Sequence, residues 1–247
     1  MAYNSPPIIM KKTTVLMLMT LFVCLFFVSC SKDDDETDTQ VVISPSSMSL
    51  YYEDTKQLTA NNATKWEAED EFVAEVDNNG LVTGGHVGTT KIIASNDKSS
   101  AICEITVLPK YNLYDTPILD WNASVSTIES KETHKSSGSN SATMLGYDYT
   151  KSSSNPCAVI YEFKNDKLCS VSVVIDYLWH GDAANYLLER YQPVYSDNTS
   201  YTAIFVDAYA KEKWTTCVGL ATITISGTKF TRIMYMPASS LPSLQAK

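Results

Sequence analysis

An apolar run near the N-terminus limits what this chain can fold into more than any other feature. Lys11 and Lys12 precede it, and residues 13–28 form an apolar core shorter than the roughly 20 residues of a membrane-spanning helix. A basic start before a short apolar core is typical of a secretory signal peptide. We therefore expect residues 1–29 to be removed, which leaves about 215 residues to fold, more than one common domain needs. The alternative is that the segment is not cleaved and remains as an N-terminal helix.

The signal ends in a cysteine that resembles a lipidation site. Residues 27–30, Phe-Val-Ser-Cys, are similar to the bacterial lipobox, in which a peptidase cuts just before the cysteine. The resemblance implies that Cys30 becomes the first residue and carries a thioether-linked diacylglycerol, with palmitate as an acyl chain. It also implies that this lipid anchors the protein in the outer membrane.

An acidic stretch follows the cysteine. Residues 30–40 are too rich in acidic side chains to fold, so we expect a solvated tether. Such runs resemble the surface-export signal of some Gram-negative lipoproteins, which implies exposure on the cell surface; a plain linker is the alternative. Loss of Lys11 and Lys12 takes the formal net charge from −9 to −11, and no basic cluster is left, so nucleic acid is not an expected partner.

Residues 41–109 are predicted to form a small all-β sandwich. Short apolar segments alternate there with Gly, Asn and Asp turns, for example at 77–80. The ordered landmarks Trp66, 72–84 and 88–94 are similar to the group 2 bacterial immunoglobulin-like domain, BIG2. The resemblance implies an Ig-like sandwich and a surface protein, in which the domain is a spacer or an adhesion module. A single copy beside the tether favours the spacer.

Residues 111–240 are predicted to form an α+β domain of unknown function. Helical patterns at 124–131 and 184–191 are each followed by three strand segments, which gives two αβββ units. This order predicts an antiparallel sheet with the helices on one side. The predicted strands cover 142–149, 157–163, 168–175, 202–209, 216–225 and 229–235. Residues 117–124 resemble a motif of uncharacterised anchored lipoproteins.

The sequence contains no recognisable motif for catalysis or metal binding. The four cysteines after Cys30 are Cys103, Cys157, Cys169 and Cys217. They allow at most two disulfides, and free buried thiols are the alternative. The three histidines are His86, His134 and His180. None belongs to a metal-binding or nucleophile motif, so we expect no metal, no cofactor and no catalytic residue. The chain is therefore not expected to be an enzyme.

Binding is the function that the sequence favours. The second domain has more aromatic residues than one small core needs, so some should reach the surface. Trp179, His180 and Trp214 are the candidate ligand-binding residues, with burial between sheet and helices as the alternative. The prediction is a lipid-anchored surface protein that binds a glycan or a protein. The alternative is a structural or assembly accessory of an outer-membrane complex, because the αβββ order is similar to that of small assembly lipoproteins.

Overall fold

The computed structural model describes residues 39–138, 140–151, 157–200 and 202–241. The predicted signal peptide, Cys30 and most of the tether lie outside the described residues. From Thr39 onward the chain forms one compact unit. Neither of the two described helices is long and apolar enough to cross a membrane.

Nine short strands form the N-terminal part. They are β1 (Val42–Ser44), β2 (Ser47–Tyr51), β3 (Thr55–Gln57), β4 (Thr59–Asn61), β5 (Lys65–Ala68), β6 (Ala74–Val76), β7 (Leu81–Gly84), β8 (Gly88–Ser95) and β9 (Ser100–Leu108). One sheet has the order β2-β9-β8-β5, a second has the order β3-β7-β6, and β1 pairs with β4. Leu50, Val82, Ile92 and Ile105 form a core in which each is at most 1% exposed. This arrangement confirms the predicted all-β sandwich.

Eight strands and two helices form the C-terminal part. They are α1 (Val125–Lys131), β10 (Lys135–Ser136), β11 (Met144–Asp148), β12 (Cys157–Lys164), β13 (Lys167–Asp176), α2 (His180–Leu188), β14 (Gln192–Asp197), β15 (Thr202–Val206), β16 (Thr216–Ile225) and β17 (Thr228–Pro237). The strands make one antiparallel sheet in the order β10-β11-β12-β13-β17-β16-β15-β14. The pair β13 and β17 therefore joins two halves of four strands each.

The prediction of two αβββ units is wrong in its strand number, and this part is more β-rich than an α+β domain of that kind. Each helix is followed by four strands, and the additional ones are β10 and β14. Both lie at the edges of the sheet, where a strand has only one neighbour. β10 has two residues and β14 contains Pro193, which cannot donate a ladder hydrogen bond, so neither has a strong strand pattern in the sequence.

Alternate side chains of the sheet face a single core on the helix side. Val171 and Val173 of β13 and Tyr235 of β17 are fully buried there. Ile128 of α1 and Leu187 of α2 belong to the same buried cluster. Both helices therefore pack on one face of the sheet, as predicted, and each buried aliphatic side chain contributes roughly 1.5–3 kcal/mol.

Candidate functional site

Two of the predicted ligand-binding residues, Trp179 and His180, lie where β13 leads into α2. Trp179 is partly buried and packs against the helix-side core. His180 is also partly buried, with Nδ1 3.1 Å from Oγ1 of Thr231. Burial lowers the pKa of His180 below its usual value. The neighbouring Leu178 is 87% exposed, so the most exposed apolar group at this corner is a leucine and not the tryptophan.

The third predicted residue, Trp214, packs within the loop between β15 and β16. Its Nε1 donates a hydrogen bond to the carbonyl oxygen of Ala208 at 2.9 Å. Asp207 closes the same loop, because Oδ1 accepts the N–H of Thr215 at 2.9 Å and Oδ2 accepts the N–H of Thr216 at 3.0 Å. The one polar group of the indole is thus occupied in holding the loop.

The sheet topology separates the two tryptophans. Trp179 follows the end of β13, whereas Trp214 precedes the start of β16. β13 and β16 are both antiparallel to β17, which lies between them, so they run in the same direction. Trp179 and Trp214 therefore lie at opposite ends of the sheet and do not line one site.

The sheet face that points away from the helices, here called the outer face, has an apolar surface. Its apolar side chains include Ile160, Val174, Ile204, Ala221, Phe230 and Met234. All six are partly exposed, and none belongs to the helix-side core. A solvated face of an antiparallel sheet normally carries polar side chains. The outer face is therefore a candidate interaction surface.

A pocket of about 430 Å³ opens beside the outer face, near β10 and β11. Val174 and Phe230 form part of its apolar wall, and Lys135 and Asp148 add one charge of each sign. An apolar wall with a few polar groups suits a side chain of a bound partner or a small ligand. The pocket extends the candidate surface toward the sheet edge.

A buried carboxylate, Glu132, holds the end of α1 against the sheet. Its side chain is 2% exposed. Oε2 accepts the hydroxyl hydrogens of Tyr149 at 2.5 Å and Tyr161 at 2.8 Å. Oε1 accepts the backbone N–H groups of Thr133 and His134 at 2.8 and 3.0 Å, and it lies 2.6 Å from Nδ1 of His134. Burial alone would raise the pKa of Glu132, but these hydrogen bonds outweigh it and lower the pKa to about 2.

The hydrogen-bond network around Glu132 stabilises the fold. The ring of His134 stacks on Tyr149 with 3.6 Å between centroids, and Nε2 lies 3.5 Å from Asp115, which pairs with Lys151 at 2.7 Å. Burial and the hydrogen bond to Glu132 raise the pKa of Tyr149. A carboxylate that already accepts from five groups has little capacity left to accept a proton from a substrate. Sequence reasoning missed this cluster, because its members come from separate elements.

Comparison with known proteins identifies the N-terminal sandwich. The family model of the bacterial Ig-like domain (group 2) matches residues 39–105. These residues form a bacterial Ig-like domain. A comparison with curated proteins gives no match. Among solved structures, domains 5-6 of the S-layer protein SbsC are similar at a TM-score of 0.24 and 10% identity, over 81% of this chain and 85% of that chain.

Glu189 fastens the Ig-like domain to the C-terminal part. Its side chain is 2% exposed and accepts the backbone N–H groups of Lys110 at 2.9 Å and Tyr111 at 3.0 Å, in the linker after the Ig-like domain. Nη1 of Arg190 lies 2.5 Å from the same carboxylate. The carbonyl oxygen of Glu189 accepts the N–H of Val87 from the Ig-like domain at 2.7 Å. The linker is therefore held at a defined position.

His86 makes a second set of contacts between the Ig-like domain and the C-terminal part, at what is here called the joint. It is 3% exposed and stacks on Phe72 with 3.8 Å between ring centroids. Nδ1 lies 2.8 Å from the carbonyl oxygen of Phe72, and backbone groups of Phe72 and Tyr191 favour the charged form of the ring. Tyr209 packs edge-on at 5.7 Å. Burial lowers the pKa of His86, against the opposing effects of these hydrogen bonds and of Asp70.

Acid should weaken this joint. Because the folded state lowers the pKa of His86, the unfolded chain takes up a proton first, so stability is complete above about pH 6.5 and falls as the pH decreases below it. We expect His86→Gln to reduce the pH dependence of the unfolding free energy, measured with urea between about pH 8 and 5. Burial also lowers the pKa of His180, so His180→Gln should reduce the pH dependence as well. An unchanged pH slope in His86→Gln would contradict the prediction.

The cysteines in the described part of the chain are free thiols. Cys103, Cys157 and Cys217 are buried, and Cys169 is partly buried. Burial raises the pKa of Cys157 to about 12, which keeps this thiol protonated. Within the described residues, no group of three or more His, Cys, Asp or Glu side chains could hold a metal ion.

Proposed function

We propose that the chain is a lipid-anchored protein of the outer-membrane surface that binds a glycan or protein partner and catalyses no reaction. The lipobox-like ending at Cys30 and the acidic tether support the anchor. The bacterial Ig-like domain supports a position at the cell surface, where it acts as a spacer. The C-terminal part is the binding domain.

The apolar character of the outer face is the observation that carries this proposal. Six partly exposed apolar side chains lie on neighbouring strands of one sheet, on the side that the helices leave open. A contiguous apolar surface of this kind is typical of an interaction site. Binding is favoured over catalysis because the main titratable cluster, around Glu132, is occupied in holding α1 to the sheet.

The anchor can be tested with a matched pair of cysteine variants of the full chain. In a Gram-negative host supplied with an alkyne analogue of palmitate, wild type and Cys24→Ala should be labelled and Cys30→Ala should not. Cys24 is the right comparison, since it lies inside the apolar core of the signal. External protease should degrade the labelled protein on intact cells. Labelling of Cys30→Ala would contradict the anchor, and full protection from protease would contradict surface exposure.

The binding role can be tested on immobilised panels of glycans and proteins. We expect the full chain to be retained on a subset of these ligands and Val174→Glu to lose that retention, because it places a charge on the outer face. Ile102→Glu is the matched control, because Ile102 is a 48% exposed position of the Ig-like domain. The proposal fails if wild type is retained on neither panel, or if Val174→Glu binds as well as Ile102→Glu.

A further inference from the structure

Arg232 lies in the middle of the outer face. Phe230 and Met234 are its neighbours along β17 on the same side of the sheet. The register places Val174 of β13 and Ala221 of β16 directly beside it. Arg232 thus has apolar residues as neighbours on four sides, and it is partly exposed.

The sheet holds this guanidinium in place without neutralising it. Nε and Nη2 donate to Oγ of Ser172 at 3.0 and 2.8 Å, and Ser172 is 2% exposed. No carboxylate of the described residues lies within the 4.0 Å of an ion pair with Arg232. Nη1 makes no hydrogen bond to the described part of the chain. Arg232 therefore keeps donors available for a ligand.

Several acidic side chains on the same face are already engaged elsewhere. One is Asp148, whose Oδ1 accepts the N–H of Thr150 at 2.9 Å. Oδ1 of Asp176 accepts the N–H of Leu178 at 2.9 Å, which caps the turn before α2. The carboxylate of Glu162 accepts the hydroxyl hydrogen of Ser170. The positive charge of Arg232 is thus left for a carboxylate from outside this sheet.

We infer that the outer face binds an extended, largely apolar segment of a partner protein, one of whose carboxylates pairs with Arg232. A guanidinium donates two parallel hydrogen bonds to a carboxylate, and apolar surroundings strengthen such a pair. Aliphatic and methionine side chains dominate this surface, which suits a peptide better than a sugar ring that stacks on aromatic faces. The inference rests on the proposed function, because it takes the C-terminal part as the binding domain.

A peptide array read with the full chain tests the inference. The probes are twelve-residue peptides with alternating Leu, Ile or Val, each synthesised twice, with Glu or with Gln at one central position. We expect the Glu member of the bound pairs to bind about tenfold more tightly, as measured by fluorescence polarisation. Arg232→Gln should remove this difference and Arg232→Lys should retain part of it. Lys98→Gln, which removes an exposed charge from the Ig-like domain, should leave it unchanged.

The outcomes separate this inference from the proposed function. If Val174→Glu abolishes binding but Arg232→Gln keeps the preference for Glu, the outer face binds and the role of Arg232 is wrong. If no peptide binds the wild type while the panels retain it, the partner is not such a segment. If Arg232→Gln increases aggregation and leaves binding unchanged, the charge of Arg232 serves to prevent aggregation between sheets of neighbouring molecules. That result also overturns the inference.

Discussion

Glu132→Ala should lower the free energy of unfolding by about 3 kcal/mol. The substitution leaves the hydroxyl groups of Tyr149 and Tyr161 without their shared acceptor in a buried position. It also frees the backbone N–H groups of Thr133 and His134 at the end of α1. Each buried donor that loses its partner costs about 1–3 kcal/mol, although one tyrosine hydroxyl can then donate to the other, whose oxygen lies 2.8 Å away. Urea unfolding followed by tyrosine and tryptophan fluorescence measures the loss.

The same carboxylate predicts how stability depends on acid. The pKa of Glu132 is about 2 in the folded protein and 4.5 for an unperturbed Glu, so the unfolded chain takes up the proton first. The stabilisation is complete above about pH 4.5 and is lost as the pH falls toward 2. Glu132→Ala should therefore have a flatter stability profile than the wild type in this range.

Glu129 offers a control on the same helix. It is exposed, so Glu129→Ala removes an equal charge from α1 and should change the unfolding free energy by less than about 0.5 kcal/mol. If the two variants are equally stable, or if Glu132→Ala keeps the acid sensitivity of the wild type, the network contributes little and the prediction is wrong.

The sequence predicts the regular parts of this fold well because they depend on local patterns. The strand segments at 157–163 and 216–225 have enough apolar and β-branched residues to identify β12 and β16, and the turn at 77–80 contains Gly80 with a φ of 80°. Edge strands are different, since they bury little and tolerate Pro193 in β14. Local patterning therefore identified the central strands of the sheet and missed its two edges.

The candidate site depends on register and long-range contacts, which a single sequence does not specify. The strand around Val174 contains consecutive apolar residues, a pattern of strands that are apolar on both faces, but nothing in it tells which face the helices cover. The hydrogen bond between Glu132 and Tyr161 spans 29 residues, and the one between Glu189 and Lys110 spans 79. Such partners meet only after the sheet and the two parts of the chain have assembled.

Glu189→Ala should separate the Ig-like domain from the C-terminal part without unfolding either. The buried carboxylate holds Arg190 and the linker amides of Lys110 and Tyr111, so its removal leaves the partly buried Arg190 without its counter-charge and the two amides without their acceptor. We expect a loss of about 2–3 kcal/mol. The amides of Lys110 and Tyr111 should exchange hydrogen at least about 30-fold faster, because local opening then costs about 2 kcal/mol less.

Interdomain distance is the measurement that separates a loosened joint from general destabilisation. With spin labels on exposed residues of the two parts, Ser46 and Thr224, pulsed electron resonance should give a narrow distance distribution for wild type and a broad one for Glu189→Ala. Glu189→Gln keeps one acceptor oxygen but loses the charge that pairs with Arg190, so it should fall between them. Glu212→Ala removes an exposed carboxylate from the C-terminal part and should match the wild type. A narrow distribution in Glu189→Ala would mean that other contacts, such as those of His86, suffice to hold the Ig-like domain in place.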